Sequence, residues 1–528
     1  MRLETLSKIR TKTEKMTTFL GYNHTNAVGT GEWYEMQNMT GDHFPVLAPR
    51  SPRGTLTAVE KPNGLFAKEH LAYVDGTALY YNGEKVADVT DSDKAFVSMG
   101  AYLIVMPDKI AYNVSTDEVI NLEHEWKAED NLEVNYESTS WTGGEVSSSD
   151  AETYTYVKIS ATGIGDGFAQ YDGVEIEGCT HDDLNKTAIL YEVNDNYVII
   201  IGDVDAKFKQ TGGLTIKRKM PDMSFICESE NRLWGCSTDG REVFACKLGD
   251  PTNWQCYEGI TSDSMAITVG SDGDFTGCIS FGGYVLFFKE DCLHKLYGSK
   301  PSNYQVTASA MRGVEKGSEK SLCIVNEVLY YKSKAGILAY SGGVPQKVSD
   351  QLGVERYTNA VAAGMDGKYY VSMMDDHGKW HLFVYDTVRG MWHREDNTHA
   401  SYMVYGSGNI YYMDEDRGKI RSIHGDDKER IHWQVTSGML TEHDLDRKYL
   451  QSIKFRVEMD EGALFEVLTR YDEDPMWRTE ATTQSRYKGL HIVEIYPNRY
   501  DNMQIMLRGL GHVKVWQMDR VLATGSEV

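Results

Sequence analysis

The chain has no paired-cysteine signature. Its eight cysteines, Cys179, Cys227, Cys236, Cys246, Cys256, Cys278, Cys292 and Cys323, include no C-x-x-C pair, so local sequence encodes neither a zinc knuckle nor a thioredoxin-like site. Most lie in apolar strand-like runs such as Ser224–Cys227 and Ser321–Val325, where a reduced buried thiol is the common state. A reducing cytoplasm is the expected place of assembly. Basic residues are scarce: 54 Lys and Arg stand against 78 Asp and Glu, a formal charge of −24. That balance argues against a protein that grips nucleic acid from outside, and leaves room for one that DNA merely passes. No run of about 18 apolar residues occurs, so no transmembrane helix is expected. Met1–Met16 is charged and lacks an apolar core, so no secretory signal is expected either.

What is abundant points to strands and tight turns. There are 33 Tyr against 15 Phe and 10 Trp, and 49 Gly against 11 Pro; tyrosine suits half-buried strands and glycine suits turns. Hydrophobic residues make up 41% and charged residues 25%, enough for a sizeable core. From Thr17 onward, runs rich in Val, Ile, Tyr and Phe alternate with Asp-Gly, Asn-Gly, Gly-Gly and Ser-Gly, which are hairpin signals.

The runs recur. Gly64–Val89, Ala95–Leu122, Phe225–Tyr257, Phe275–Val306, Ser321–Val348, Ala360–Glu395 and Ser401–Ile423 each place an apolar strand, a turn and a second strand. A repeat of about 30 to 45 residues fits four-stranded propeller blades, and the expectation is an all-β chain with a β-propeller of about six to eight blades. Residues 123–220 interrupt the repeat and read as an inserted β-domain, with a polar low-complexity stretch near its start. After residue 427 the strands lengthen and alternate strictly, as in Ile453–Glu458 and Met503–Arg508, which predicts a C-terminal β-sandwich. The expected division is an N-terminal arm at 1–16, helical or disordered, propeller at 17–122 and 221–427, insertion at 123–220 and sandwich at 428–528.

Catalytic signatures are weak. Gly406-Ser407-Gly408 lacks the spacing and helix of a nucleophile elbow. Asp272-Gly273-Asp274, Asp375-Asp376, Asp414-Glu415-Asp416 and Asp472-Glu473-Asp474 do not follow calcium-loop spacing, and read as solvated turns in which Asp accepts backbone N–H groups. Ser237-Thr238-Asp239-Gly240 and Ser271–Thr276 approach a sialidase-type Asp-box turn without completing it. His381, His393 and His432 sit beside Trp380, Trp392 and Trp433 in strand-like contexts and read as packing or surface residues. Lys217-Arg218-Lys219 and Arg447-Lys448 are too short for a nucleic-acid footprint and read as solvated loops. No catalytic, cofactor-binding or metal-ligating residue is assigned, and no cofactor is expected.

Several strings resemble the tail-hub or nozzle propellers of short-tailed bacteriophages. They are Gly21–Gly54; Asn231–Gly235 followed by Lys247–Trp254, similar to N-R-x-W then G-D-P-x-x-W; Gly282–Pro301; Leu382–Asp396; and the closing Tyr496–Val528. The likeness spans the propeller and terminal domain but not the insertion. It implies a non-enzymatic virion protein that forms a ring, usually a hexamer, beneath the portal or head–tail adaptor. Such a ring retains packaged DNA and conducts it through its lumen on ejection, without specific binding. Two alternatives are carried forward: a receptor-binding tail propeller that recognises a cell-surface glycan, and a glycan hydrolase using a carboxylate pair.

Overall fold

The computed structural model describes residues 9–141, 155–442, 447–472, 474–484 and 487–524. The chain is all-β, a β-propeller with an inserted β-domain and a C-terminal β-sandwich. It divides into two compact units, Met1–Glu69 with Glu315–Val528, and His70–Val314.

In the first unit, three four-stranded sheets have the blade pattern. Two are plain meanders: Cys323–Val325, Val328–Ser333, Gly336–Tyr340 and Gln346–Lys347; then Tyr357–Met365, Lys368–Asp375, Trp380–Asp386 and Met391–Arg394. Their central strands are buried on both faces, as Val328–Ser333 and Lys368–Asp375 show, which is why these segments read as continuous apolar runs rather than alternating ones. The third sheet joins distant parts of the chain. Ala400–Gly406, Asn409–Asp414 and Lys419–Ser422 receive Gly54–Ala58 as their fourth strand, with Ser422 opposite Gly54 and Lys419 opposite Ala58. The approach there is close: a Cβ on Gly425 would lie 2.2 Å from the Gly54 Cα, so that crossing admits no side chain.

The terminal domain is a sandwich of two sheets. One runs in the order Arg10–Met16, Val513–Thr524, Lys448–Met459, Tyr487–Glu494; the other runs Trp33–Gln37, His432–Ser437, Met503–Leu510, Leu464–Tyr471, Arg478–Gln484. Their inner faces share one core, with Phe455 edge-on to Phe465 at 5.3 Å and Trp33, Trp433, Val515 and Met518 around them. Strict alternation places these residues inward.

Two expectations change here. Residues 10–16, expected as part of a helical or disordered arm, form a strand paired residue by residue with Met518–Thr524; residues 1–8, which carry Leu3 and Leu6 of the proposed stripe, lie outside the described residues. The segment 17–53 was assigned to the propeller, yet Trp33–Gln37 pairs with His432–Ser437 in the sandwich. Spacing-three periodicity in so short a stretch loses to a sheet edge that satisfies every second backbone group.

In the second unit, three four-stranded meanders are Ala95–Asn121, Met223–Thr268 and Gly277–Ala310, and a further meander comprises His70–Asp75, Ala78–Tyr81 and Glu84–Asp88. The insertion leaves and re-enters through neighbouring antiparallel strands, His124–Lys127 and Thr215–Arg218, with His124 opposite Arg218. It has its own core around Val134, Val157, Ile159, Ile176, Val198, Ile200 and Ile216. The low-complexity stretch at 142–154 lies outside the described residues. No helix is long and apolar enough to cross a membrane among the described residues.

At the closure of the third blade, Arg53 is 1% exposed. Its guanidinium donates to Glu395 Oε2 at 2.6 Å, to Asp396 Oδ2 at 2.9 Å and to the Ile423 carbonyl at 3.1 Å. Removing one partner of such a network strands the other charges. Arg53→Met is expected to lower unfolding free energy by about 3–5 kcal/mol, read by chemical denaturation; a loss below about 1 kcal/mol would show the network is dispensable.

His393 is buried, with its ring against Gly41. Burial, and after it the Lys368 ammonium, push its imidazole down to about 4 from an ordinary 6.5. The unfolded chain therefore binds the extra proton between those values and the folded chain does not. Stability should be full above pH 6.5 and fall as pH drops toward 4, and His393→Gln should flatten that slope in denaturation curves taken across the window.

Candidate functional site

In the first unit, three segments converge on a polar cleft of 400 Å³. The N-terminal segment supplies Tyr22 and His24, the strand Trp33–Gln37 supplies Glu35, and the second blade supplies Glu355, Tyr357, Asp375, His381, Phe383 and Arg394. Local pairing explains the convergence. The Trp33 N–H donates to the Gly21 carbonyl and the Asn23 N–H to the Trp33 carbonyl, which lays Tyr22 and His24 alongside that strand.

Several of these groups hold one another. His24 stacks on Tyr34 at 4.3 Å, and its Nδ1 lies 3.3 Å from Glu35 Oε1. Arg394 Nη1 lies 3.7 Å from the other Glu35 oxygen, and Arg394 Nη2 donates to Asn397 Oδ1 at 3.0 Å. The Tyr357 hydroxyl donates to Glu355 at 3.3 Å. His381 Nε2 and Asp375 Oδ2 are 2.8 Å apart, while Asp375 Oδ1 accepts the backbone N–H groups of His377 and Lys379 at 2.9 Å each. Burial works against the Asp375 carboxylate, but the bonds from His381 and from those two amides outweigh it and hold the carboxyl down to about 2. Burial pushes His381 down, against the pull of Asp375. The dyad at neutral pH is therefore an ionised Asp375 accepting from a neutral His381, which places the ring proton on Nε2. Burial pushes the Tyr22 and Tyr357 hydroxyls up, the carboxylates nearby adding to it; both stay protonated donors.

The cleft thus offers three carboxylates and one guanidinium, with Lys379 and Asn397 also on its wall, above the buried rings of Phe383 and Tyr22, which lie 5.7 Å apart. Such a set can accept and donate hydrogen bonds to a polyhydroxylated ligand. A second cavity of 440 Å³ shares Glu355 and Tyr357 and adds Lys334, Lys347 and Arg356 to its wall.

Of the residues singled out in the sequence, only Asp375 and His381 meet here. Asp375 is neither solvated nor a ligand pair with Asp376: it is 7% exposed and caps its own turn. Gly406-Ser407-Gly408 is a two-residue hairpin turn, with Ser407 and Gly408 at φ of 49° and 77°, the signs a type I′ turn demands. Asp414 lies buried under Arg417 and Arg421. Asp472 and Asp474 accept backbone N–H groups, of Asp501 and Asn502 and of Met476; Glu473 lies outside the described residues. Ser237 and Asp239 close a turn through the Arg241 N–H, and Ser271 bonds His294. His393 is buried and His432 exposed. The basic strings are not solvated loops: Arg218 pairs with buried Asp172 at 2.8 Å, Lys217 with Glu177 at 2.8 Å and Lys219 with Glu175, and Lys448 is 1% exposed. All eight cysteines are unpaired. Glu35, Glu355 and Arg394 carried no sequence signal, since they come together only through pairing of segments more than 300 residues apart.

No family model matches the chain, and no curated protein matches it. Among solved structures it is similar to an exo-β-1,3-galactanase from Phanerochaete chrysosporium with galactose, at 9% identity and TM-score 0.23, covering 56% of this chain and 96% of that one. A GH43 glycoside hydrolase engineered for endo-xylanase and exo-arabinofuranosidase activity matches at 9% identity and TM-score 0.22, covering 57% and 96%. PorZ, a surface component of the type-IX secretion system of Porphyromonas gingivalis, matches at 13% identity and TM-score 0.13, covering 73% and 65%. The expectation of a non-enzymatic protein is corrected by these neighbours, several of which are glycoside hydrolases. At such scores no activity is carried from them to this chain.

Proposed function

We propose that the chain is a tail component of a short-tailed bacteriophage, assembled as a ring below the portal, where it retains packaged DNA and conducts it during ejection. The observation that carries this reading is the order of the blade phrases along the sequence, above all N-R-x-W followed by G-D-P-x-x-W. The two phrases are physically coupled. Arg232 of the first donates to the Cys246 and Asp263 carbonyls at 2.8 and 2.6 Å, at either end of the loop that carries the second, and Trp254 Nε1 donates to the Pro251 carbonyl at 2.9 Å within it. A change to either phrase disturbs the other, which is a physical reason for them to travel together. The charge of −24 supports a conduit role, because an acidic wall repels phosphates and keeps DNA from adhering. The partners of this reading are further copies of the chain, the portal or adaptor, and other tail proteins, and its location is the virion.

Light scattering and negative-stain microscopy of the purified chain, alone and mixed with the portal of its phage, test the proposal. A ring with a central channel, formed alone or on the portal, is the expected result. A monomer that ignores the portal would sink it.

The cleft favours a second reading, a tail propeller that recognises a cell-surface glycan, because its carboxylates and Arg394 match a hydroxyl-rich ligand. Glycan arrays should then show binding that drops about tenfold or more in Glu35→Gln and Arg394→Met, each lost charged hydrogen bond accounting for about 1.5–3 kcal/mol. Release of reducing sugar from a bound glycan, abolished in Asp375→Asn and Glu355→Gln, would move this reading from recognition to hydrolysis. Absence of any glycan binding removes it.

A further inference from the structure

We propose that Cys256, Glu258 and Asp263, in the second unit, bind a zinc-class divalent cation through one thiolate and two carboxylates, with the remaining coordination position open to water. All three stand on the loop between the strands Glu242–Ala245 and Met265–Thr268. One donor atom from each lies within 4.8 Å of the others. A tetrahedral zinc with Zn–S of about 2.3 Å and Zn–O of about 2.1 Å sets its donors about 3.5 Å apart. Closure therefore needs about an ångström of movement, which the half-buried Glu258 side chain can supply.

The loop is built to hold these groups. The Cys256 N–H donates to Ser264 Oγ at 3.2 Å and the Ser264 N–H returns a bond to the Cys256 carbonyl at 2.9 Å, so the thiol sits beside residue 263. Asp263 is 3% exposed. Its Oδ2 accepts the N–H groups of Gly259 and Ile260 at 2.6 and 3.1 Å. Its Oδ1 is buried with no hydrogen-bond partner. A buried carboxylate oxygen left unpaired beside a thiol and a second carboxylate is a costly arrangement that a cation would complete. The thiolate selects zinc over magnesium or calcium, which take oxygen donors alone.

Burial pushes the Cys256 thiol up to about 12, so a cation that binds there must displace its proton. Lys247 is the competing positive charge, acting on Cys256 and on Glu258. In the same position its ammonium lies 5.3 Å from the Tyr171 ring centre and 3.5 Å from the Tyr171 carbonyl. The C-x-E-x4-D spacing matches no familiar metal signature, so nothing in the sequence alone announces it.

The test loads the full chain with Co²⁺ as a spectroscopic stand-in, then displaces it with Zn²⁺ while metal content is measured by mass spectrometry. Expected are one equivalent per chain and a thiolate-to-cobalt charge-transfer band in the near ultraviolet. Cys256→Ser should abolish the band. Glu258→Gln should weaken zinc affinity about tenfold or more, and Lys247→Met should strengthen it. No band in the parent chain, or a band that persists in Cys256→Ser and so arises from one of the other seven cysteines, overturns the proposal. Should Cys256→Ser fail to fold by circular dichroism, Glu258→Gln decides, because unchanged zinc affinity there overturns it equally.

Discussion

Buried arginine, Arg53 with Arg50 beside it on the same Asp396, holds the first unit closed. Arg53 immediately precedes the strand that completes the third blade, and its four bonds reach the end of the second blade at Glu395 and Asp396 and the end of the third at Ile423. Around it the backbone is stitched further: the Gly425 N–H donates to the Pro52 carbonyl and the Asp427 N–H to the Arg53 carbonyl. Charge buried this deeply contributes little net energy when satisfied, but it tolerates very few alternative arrangements. Its worth is registration. The closing strand could slide by two residues and keep its alternation, yet only one register brings Arg53 to both carboxylates.

The polar cleft inherits that order. Arg394 and Asn397 flank Glu395 and Asp396, so the same network that fixes the closing strand also fixes the wall from which Arg394 reaches Glu35. On the opposite side, the bonds of Gly21 and Asn23 with Trp33 set the ring of Tyr22 against Phe383. Glu35, Tyr357, Asp375, His381, Phe383 and Arg394 stand on strands, which positions them more precisely than loops would. The second unit follows a different plan. There the chemistry gathers in one long loop inside a blade, braced by Arg232, and Asn253 of that loop bonds Tyr171 and Gly173 of the inserted domain.

The architecture was legible in the sequence wherever a strand announces itself locally. Runs such as Tyr284–Lys289 and Trp380–Asp386 are long, apolar and bounded by turn residues, and they are central strands. The C-terminal alternation from Ile453 onward has a period of two and Lys448–Met459 largely follows it, whereas Met503–Leu510, expected to alternate, is buried on both faces through Leu507. What could not be read was pairing between distant segments. Trp33–Gln37 looks like any short strand, and nothing in its residues says that its partner lies at His432–Ser437. The charged strings Asp375-Asp376 and Lys217-Arg218-Lys219 misled for a related reason: sequence shows the charge but not the partner, and here the partners draw Asp375 and Arg218 inward. Of the cleft, Asp375 and His381 stood out in the sequence, but separately, as a solvated acidic turn and a packing histidine; that they meet across one hairpin was not legible, and neither was the rest.

Three early strands, Arg10–Met16, Trp33–Gln37 and Gly54–Ala58, all find their neighbours after residue 399. On a ribosome that emits residues in order, the opening segment must wait for more than three hundred others before it can bury Trp33, Met36 and Met39. Loops of that length are slow to close, and the waiting strands expose apolar faces and unpaired edges. Synthesis, not the finished molecule, is then the dangerous phase of this protein's life: the nascent chain is a candidate for chaperone capture, and a message cut short before the sandwich is complete yields a product with no home for its first sixty residues.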